Sequence, residues 1–251
     1  MKFFFIHFLT FFYSNITTFL ENIFFKKKTI SSNLNKYGFY KDKLKFRINF
    51  NNFIEKKLVK SVFLESLIIK ENYKNDLINN IFNKNCVKDT LKSLTGFNYS
   101  IDFITAYSTY NIDQANLEKD IYANHWHKDK PFSRNTLKII IPIGEISNNQ
   151  GPMEIMSIND SNKINFFSNL RDTNLSSKFK LIGTDEDIYF FLPNLCYHKA
   201  GNPLFSKKRS QIMLQLNPSN KWKYSTTLYE KQYLLEPKFP IFNLNKKYNL
   251  I

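Results

Sequence analysis

The chain contains few of the residues that build disulfide scaffolds, zinc sites or flexible linkers. Among 251 residues there are two cysteines, six glycines and eight prolines. Cys86 and Cys196 allow at most one disulfide and lack the spacing of a zinc site. No long glycine-, serine- or proline-rich stretch and no internal repeat divides the sequence. We therefore expect one domain over residues 1–251 in a reducing, cytoplasmic setting.

Arginine is also scarce, because only four of the 36 basic residues are arginine and the rest are lysine. The net charge of +15 accompanies an excess of asparagine, isoleucine and phenylalanine, a combination typical of AT-rich coding bias. Most of the lysines are scattered, and no nucleic-acid-reading motif accompanies them. The charge therefore does not predict a nucleic-acid partner, and the expected partner is a small-molecule substrate.

The most prominent apolar run, FFFIHFLTFFY at residues 3–13, is shorter than the roughly 20 residues of a membrane span. Polar residues interrupt the sequence after it, and the small-residue cleavage site of a secretory signal is missing. The favoured interpretation is an amphipathic helix packed on the body of the protein. The alternative is a peripheral membrane contact through residues 3–28, in which the lysines at 26–28 meet anionic head groups.

Helical spacing precedes residue 97, and short β-type runs follow it. The predicted helical segments are Asp76–Phe82 and Val87–Leu94, with Gly96 as a stop. Runs rich in Ile, Phe, Tyr and Leu, separated by turn residues, predict strands at Ile101–Tyr107, Leu137–Ile143, Ile188–Leu192 and Gln211–Leu216. We predict a mainly β protein with flanking helices (α+β). Residues 1–96 form a partly helical N-terminal flank, 97–220 the β core and 221–251 a C-terminal extension.

The last predicted strand has two different faces. Alternation places Ile212, Leu214 and Leu216 on one side, and it places a mostly polar set on the other: Arg209, Gln211, Met213 and Gln215. A strand with one apolar wall and one polar wall suits a β-barrel or sandwich whose interior is a site rather than a packed core.

Three of the four histidines fall in two short segments, NHWHKDKPF (124–132) and PNLCYHKAGNP (193–203). His127 and Asp129 are two positions apart, so on an extended strand their side chains leave the same face. His198 completes a set of two imidazoles and one carboxylate. Such a set leaves open coordination positions and is typical of mononuclear non-haem iron(II) oxygenases.

Arg209 lies eleven residues beyond His198 on the two-faced strand. A guanidinium group pairs with a carboxylate through two parallel hydrogen bonds and does not lose its proton. This residue is therefore suited to hold the far end of a dicarboxylate cosubstrate.

Two stretches carry a family resemblance. The first runs from Asn124 to Met156, with HWHKD, LKIIIPIG and NNQGPMEIM, and the second is FLPNLCYHKAGNP followed by KKRSQIMLQLNPS. Together they resemble the phytanoyl-CoA dioxygenase-like group of Fe(II)/2-oxoglutarate oxygenases, over about Ile101 to Asn220. The resemblance implies a double-stranded β-helix, a jelly-roll or cupin-like barrel. It also implies Fe(II), 2-oxoglutarate and O2, with Arg209 at the C5 carboxylate of 2-oxoglutarate and Lys138 near the cosubstrate.

The activity that this resemblance implies is hydroxylation of a small or lipid-, CoA- or sugar-linked metabolite, with release of succinate and CO2. The chain departs from the family at 156–160, where relatives often have Pro-Gly-Ser-His, and at Ala200, where some have a small hydroxyl residue. Both departures concern loops near the substrate, so the substrate stays open.

A cupin is the competing interpretation within the same architecture, because His125-Trp126-His127 looks like its His-x-His motif. A cupin would need a glutamate four or five residues after His127, where this chain has Pro131 and Phe132. His125 is therefore expected to orient a ligand or to touch substrate. The further candidates for substrate contact are Trp126, Tyr107 and Gln211. Two alternative functions remain, a non-catalytic metal-binding barrel and a basic protein associated with membranes or nucleic acid.

Overall fold

The structure, a computed structural model, describes residues 2–26, 28, 30–61, 63–70, 73–119, 123–129, 133–164, 178–225 and 248–251. For residues 2–11, 55–61, 178, 225 and 248 it describes the backbone only. Pro131, Phe132 and most of the predicted C-terminal extension lie outside the described residues.

Up to residue 97 the described elements are two helices, three strands and two further helices, and after it they are mostly strands. The α-helices are α1 (Lys2–Phe24), α2 (Asn33–Tyr37), α3 (Lys74–Asn79), α4 (Val87–Thr95) and α5 (Ile158–Lys163). The strands are β1 (Phe39–Lys43), β2 (Ile54–Ser61), β3 (Leu64–Ile69), β4 (Asn98–Tyr110), β5 (Leu137–Pro142), β6 (Glu154–Met156), β7 (Lys178–Lys180), β8 (Asp187–Phe191), β9 (His198–Lys199), β10 (Lys208–Ser219), β11 (Lys223–Ser225) and β12 (Tyr248–Leu250).

Both predicted helical segments before residue 97 are helical. The first is α3 continued by a π-helical turn over Asn80–Lys84, and the second is α4. Gly96 ends α4 with φ +80°, a left-handed conformation that glycine adopts without a steric penalty, and its N–H donates to the carbonyl of Lys92. The stop predicted at this glycine is confirmed.

The strands form a large sheet and a small one. The large sheet has the order β1-β8-β5-β10-β4-β11-β12, with β3 also paired to β4 and β2 paired to β3. The small sheet has the order β7-β6-β9. All four strands predicted from the sequence lie in the large sheet, as β4, β5, β8 and β10.

Strand β10 has the two faces that its sequence predicts. Ile212, Leu214 and Leu216 are fully buried in the main core, which lies between the large sheet and the N-terminal helices. The other face of the sheet contributes Ile140 of β5 to a second core cluster, which also contains Ile155 of the small sheet. Two sheets facing each other across an interior of this kind form the double-stranded β-helix, so the predicted fold class is confirmed.

Helix α1 packs on the protein through polar side chains. Ser14, Thr17 and Glu21 are each at most 3% exposed. The Oγ of Ser133 donates a hydrogen bond to Oε2 of Glu21, and the Arg134 N–H donates to Oγ1 of Thr18. The expected packing of the helix on the body is thus made by its polar side, because its partner is a loop rich in hydrogen-bonding groups. Of the described helices, none is long and apolar enough to cross a membrane.

Candidate metal centre

The backbone brings His127 and His198 together. The N–H of each donates to the carbonyl of the other, at 3.0 and 2.9 Å, as in one hydrogen-bonded pair of an antiparallel ladder. Side chains of such a pair leave the same face, and the two imidazole centroids lie 4.4 Å apart. The Asp129 N–H donates to the Pro193 carbonyl at 3.1 Å, which ties the third residue to the segment that carries His198. The structure therefore brings all three sequence candidates to one place.

The tautomers of both imidazoles follow from their hydrogen bonds. Nδ1 of His127 lies 2.9 Å from the carbonyl oxygen of His125, and Nδ1 of His198 lies 3.1 Å from that of Cys196. A carbonyl oxygen only accepts, so each Nδ1 carries a hydrogen and Nε2 is the ring nitrogen available to a metal. Burial, followed by the neighbouring His198, lowers the pKa of His127 and favours its neutral form.

The two carboxylate oxygens of Asp129 contact different partners. Oδ1 lies 3.7 Å from Nε2 of His127 and 3.4 Å from Nε2 of His198, while Oδ2 forms an ion pair with Nζ of Lys138. Burial by itself raises the pKa of Asp129, but the Lys138 ammonium and His198 outweigh it and hold the pKa well below its usual range. The group is therefore an anion throughout the neutral range.

These three donors fit a metal ion. The ligand atoms of His127, Asp129 and His198 all lie within 4.8 Å of one another. Adjacent ligands bonded to a metal at about 2.1 Å lie about 3 Å apart, so the separations of 3.7 and 3.4 Å between Asp129 and the two imidazoles need only a small contraction. The two Nε2 atoms and a carboxylate oxygen converge on one point, a set of donors that a divalent cation binds. Two imidazoles and one carboxylate suit iron(II) and leave coordination positions open.

Two buried residues, Phe191 and Cys196, lie beside His198 and are not candidate ligands. The ring of Phe191 stands edge-on to His198, with centroids 5.2 Å apart and planes at 66°. Cys196, two residues before His198, is fully buried, and burial raises the pKa of its thiol to about 12. The Sγ of Cys196 lies 3.8 Å from the Tyr37 carbonyl, so this residue contributes its backbone carbonyl to His198 and its sulfur lies elsewhere.

Arg209 lies on β10 and is buried to 1% exposure. Its Nη1 donates to the carbonyl of Gly151 and, at 3.2 Å, to that of Gly201. The two glycines lie where two loops cross closely: a Cβ on Gly201 would come 2.2 Å from the carbonyl oxygen of Pro152. The position of the guanidinium therefore depends on two residues that have no side chain.

Lys138 and Arg209 face the same side of the large sheet but at different ends. In the β5–β10 ladder Lys138 is paired with Gln215, six positions along β10 from Arg209. At about 3.3 Å per residue the two backbone positions are roughly 20 Å apart. The side chain of Lys138 reaches the Asp129 carboxylate, and the guanidinium of Arg209 reaches the carbonyl of Gly201, three residues beyond His198. Between them, Nε2 of Gln211 donates to the hydroxyl of Tyr107 at 2.5 Å.

The remaining sequence candidates, His125 and Trp126, lie around the centre and do not belong to the three converging donors. Nε2 of His125 lies 3.1 Å from the Lys119 carbonyl, so its ring faces away from the ligands and only its backbone oxygen holds His127. The ammonium of Lys199 lies 5.1 Å from the centroid of the Trp126 ring. On the same two segments, Lys128 lies 4.8 Å from the Tyr197 ring.

A hydrogen-bonded group next to the centre is not predicted by any sequence motif, and it consists of Asn194, Ser133 and Glu21. Nδ2 of Asn194 donates to the carbonyl of Ser133, whose hydroxyl donates to the buried carboxyl of Glu21. Asn194 follows Pro193, the residue whose carbonyl accepts from Asp129. Glu21 and Ser133 are 112 positions apart, and no local motif marks either of them. Burial raises the pKa of Glu21 to about 7, although its hydrogen bonds from Ser133 and Asn135 act in the opposite direction.

Comparison with known proteins gives structural matches only. No protein-family profile matches the chain, and it has no match among curated proteins. HygX from Streptomyces hygroscopicus, in a structure with nickel and 2-oxoglutarate, is 10% identical with a TM-score of 0.51, over 75% of this chain and 86% of HygX. A HygX structure that also contains hygromycin B is 10% identical with a TM-score of 0.50 over the same shares, 75% and 86%.

A further similar structure is that of SnoN, a non-heme alpha-ketoglutarate-dependent epimerase from nogalamycin biosynthesis. It is 10% identical, with a TM-score of 0.49, over 74% of this chain and 79% of SnoN. At such identities the HygX matches establish the fold alone: the chain is a double-stranded β-helix.

Proposed function

We propose that this chain is an Fe(II)/2-oxoglutarate-dependent oxygenase. The observation that carries the proposal is the convergence of His127, Asp129 and His198, with both imidazoles held through Nδ1 so that each Nε2 lies near the Asp129 carboxylate. The resemblance to the phytanoyl-CoA dioxygenase-like group supports the same conclusion from the motifs. The HygX structures, which contain nickel and 2-oxoglutarate, add that this fold holds such a pair of ligands elsewhere.

Under this proposal each side chain at the centre has a role. When bound by His127, Asp129 and His198, iron(II) would supply the redox chemistry that couples dioxygen to oxidative decarboxylation of 2-oxoglutarate to succinate and CO2. Arg209 would hold the C5 carboxylate, because a buried, permanently charged guanidinium discriminates strongly for an anion. Lys138 would fix the orientation of Asp129 by occupying its second oxygen. Phe191 would exclude water from one side of His198.

The finer assignment is hydroxylation of an anionic small metabolite, such as one linked to lipid, coenzyme A or a sugar phosphate. Lys128 supports it, since it lies between His127 and Asp129 in the sequence and its ammonium lies over the Tyr197 ring, whereas Lys199 is already paired with Glu154 at 3.4 Å. A positive charge beside the metal centre favours a substrate with a negatively charged part.

The metal assignment is tested by Asp129→Ala. We expect loss of bound iron, measured by elemental analysis, and loss of succinate formation from 2-oxoglutarate. His125→Ala is the matched control, because its ring contacts the Lys119 carbonyl and not the ligands, and it should keep both properties. Wild-type decarboxylation in the Asp129 variant would show that the ligand assignment is wrong. Iron-loaded protein that forms no succinate with any metabolite in a broad screen would favour a binding function.

The cosubstrate assignment is tested by Arg209→Ala. Charge-assisted hydrogen bonds contribute about 1.5–3 kcal/mol each, so losing two should raise the apparent KM for 2-oxoglutarate by about a hundredfold or more while iron content stays unchanged. Arg209→Lys keeps the charge without the fork and should be intermediate. Arg47→Ala is the control, because Arg47 pairs with Asp185 on the surface. Equal loss of iron in the Arg209 variants would indicate a folding role instead.

A further inference from the structure

Helix α1 exposes a continuous apolar stripe to solvent. Four large apolar side chains make up the stripe: Phe12, Ile16, Phe19 and Ile23. Each is between 43 and 64% exposed. At 3.6 residues per turn, all four project within about 60° of one another, and the stripe is about 17 Å long. Phe24, at the end of the helix, is 69% exposed.

The stripe cannot turn inward, because the opposite side of the helix is fastened to the body. Ser14, Thr17 and Glu21 project about 180° from the stripe and are buried. Glu21 and Thr18 are hydrogen-bonded to the 133–135 loop. This polarity is the reverse of that of an ordinary surface helix, whose apolar side packs on the core. An exposed row of large apolar side chains of this kind marks an interaction surface.

Basic groups adjoin the end of the stripe. Lys28, four residues beyond the helix, is exposed, whereas the half-buried Lys26 has its ammonium 5.7 Å from the ring centroid of the buried Phe97. Lys28 and Lys92 line a hollow of about 550 Å³, together with the polar residues Ser31, Ser93 and Asp89. The chain as a whole has a net charge of +15. An apolar stripe beside ammonium groups matches the two layers of an anionic bilayer surface, acyl chains beneath negatively charged head groups.

We propose that α1 lies in the surface of an anionic phospholipid bilayer, with its stripe among the acyl chains and with Lys28 and Lys92 at the head groups. The charge favours this occupant over a second copy of the chain, because two copies would bring like charges together across the contact. The helix lies on the membrane and does not cross it. This proposal is independent of the oxygenase chemistry, since none of these residues belongs to the metal centre.

The test is flotation of the full-length protein with vesicles of phosphatidylcholine, with and without phosphatidylglycerol. Wild type should float with the anionic vesicles, at low salt more than at high salt, and not with pure phosphatidylcholine. The double variant Phe19→Ser/Ile23→Ser should partition roughly tenfold or more weakly, because large apolar side chains leaving water contribute affinity of that order. Lys28→Glu/Lys92→Glu should be several-fold weaker or more.

Phe46→Ser/Phe205→Ser is the matched control, because both phenylalanines are at least as exposed as Phe19 but lie outside the stripe. It should float like wild type. All variants replace exposed side chains, so each should fold, which circular dichroism checks. Equal flotation of stripe and control variants would overturn the proposal, as would binding that salt and lipid charge do not change. So would a dimer in size-exclusion chromatography that the stripe variant abolishes while vesicles remain unbound.

Discussion

Removing the Lys138 ammonium should make the protein depend on metal for its stability. Lys138 and Asp129 form a buried ion pair, with side chains 8% and 14% exposed. Replacing Lys138 by Met leaves the Asp129 carboxylate without its cation in the metal-free protein. Breaking one side of a buried pair costs about 3–5 kcal/mol. For a chain of this size, each kcal/mol lowers Tm by about 2–4 °C, so the metal-free variant should melt roughly 10 °C below wild type.

Metal should restore much of this loss. A divalent cation at His127, Asp129 and His198 neutralises the same carboxylate, and the variant also lacks the ammonium that repels the cation. The rise in Tm on adding a fixed excess of Mn(II) should therefore be larger for Lys138→Met than for wild type. Differential scanning fluorimetry with and without Mn(II), after treatment with a chelator, measures both quantities.

The control for this experiment is Lys43→Met, which removes a lysine from an ion pair at the surface. Lys43 lies 3.0 Å from Asp187 but is 64% exposed, and Lys41 still pairs with the same carboxylate. Such a pair contributes about 0–1 kcal/mol, so this variant should melt near wild type and respond to Mn(II) as wild type does. Equal Mn(II) shifts in Lys138→Met and wild type would refute the reasoning that Lys138 and metal share one carboxylate.

Two further predictions concern residues around the centre. Because the pKa of Glu21 rises from 4.5 to about 7 on folding, its contribution is fully present below about pH 4.5 and is lost as the pH rises through 7. Glu21→Gln should therefore remove about 3 kcal/mol of pH dependence from the unfolding free energy, measured by urea titration at pH 5 and pH 8; an unchanged difference would contradict the burial of a carboxyl there. Gly201→Ala should raise the KM for 2-oxoglutarate more than it lowers the iron content. The reason is that the added Cβ would push against Pro152 beside Arg209. Unchanged kinetics would show that the loops carrying Gly201 and Pro152 move apart freely.

The sequence predicts the parts of the centre that follow from local periodicity. The alternation along β10 places Ile212 in the core and Arg209 on the opposite face, because a strand side chain has only two directions available. The i, i+2 spacing of His127 and Asp129 predicts a shared site in the same way, although His127 belongs to an isolated bridge rather than a regular strand. The roles of these residues as ligands stay predictions that the experiments above test.

The parts that depend on distant contacts are not predictable from local sequence. The composition of α1 shows two unlike sides but not which side is buried, since that depends on Ser133 and the loop around it. The contact between Lys138 and Asp129 depends on the register of β5 in the sheet, which a single sequence does not reveal. The bounds proposed for the flank, the core and the C-terminal extension stay predictions.

The pairing of β1 with β8 has a practical consequence for shortening the protein. All five residues of β1 pair with β8, in register from Phe39 with Phe191 to Lys43 with Asp187. A chain beginning at residue 97 would keep every candidate ligand but would leave β8 as an unpaired edge, in a strand that is buried along its whole length. Unpaired apolar edges recruit strands from other molecules. Such a fragment would be expected to aggregate, even though it contains every candidate ligand.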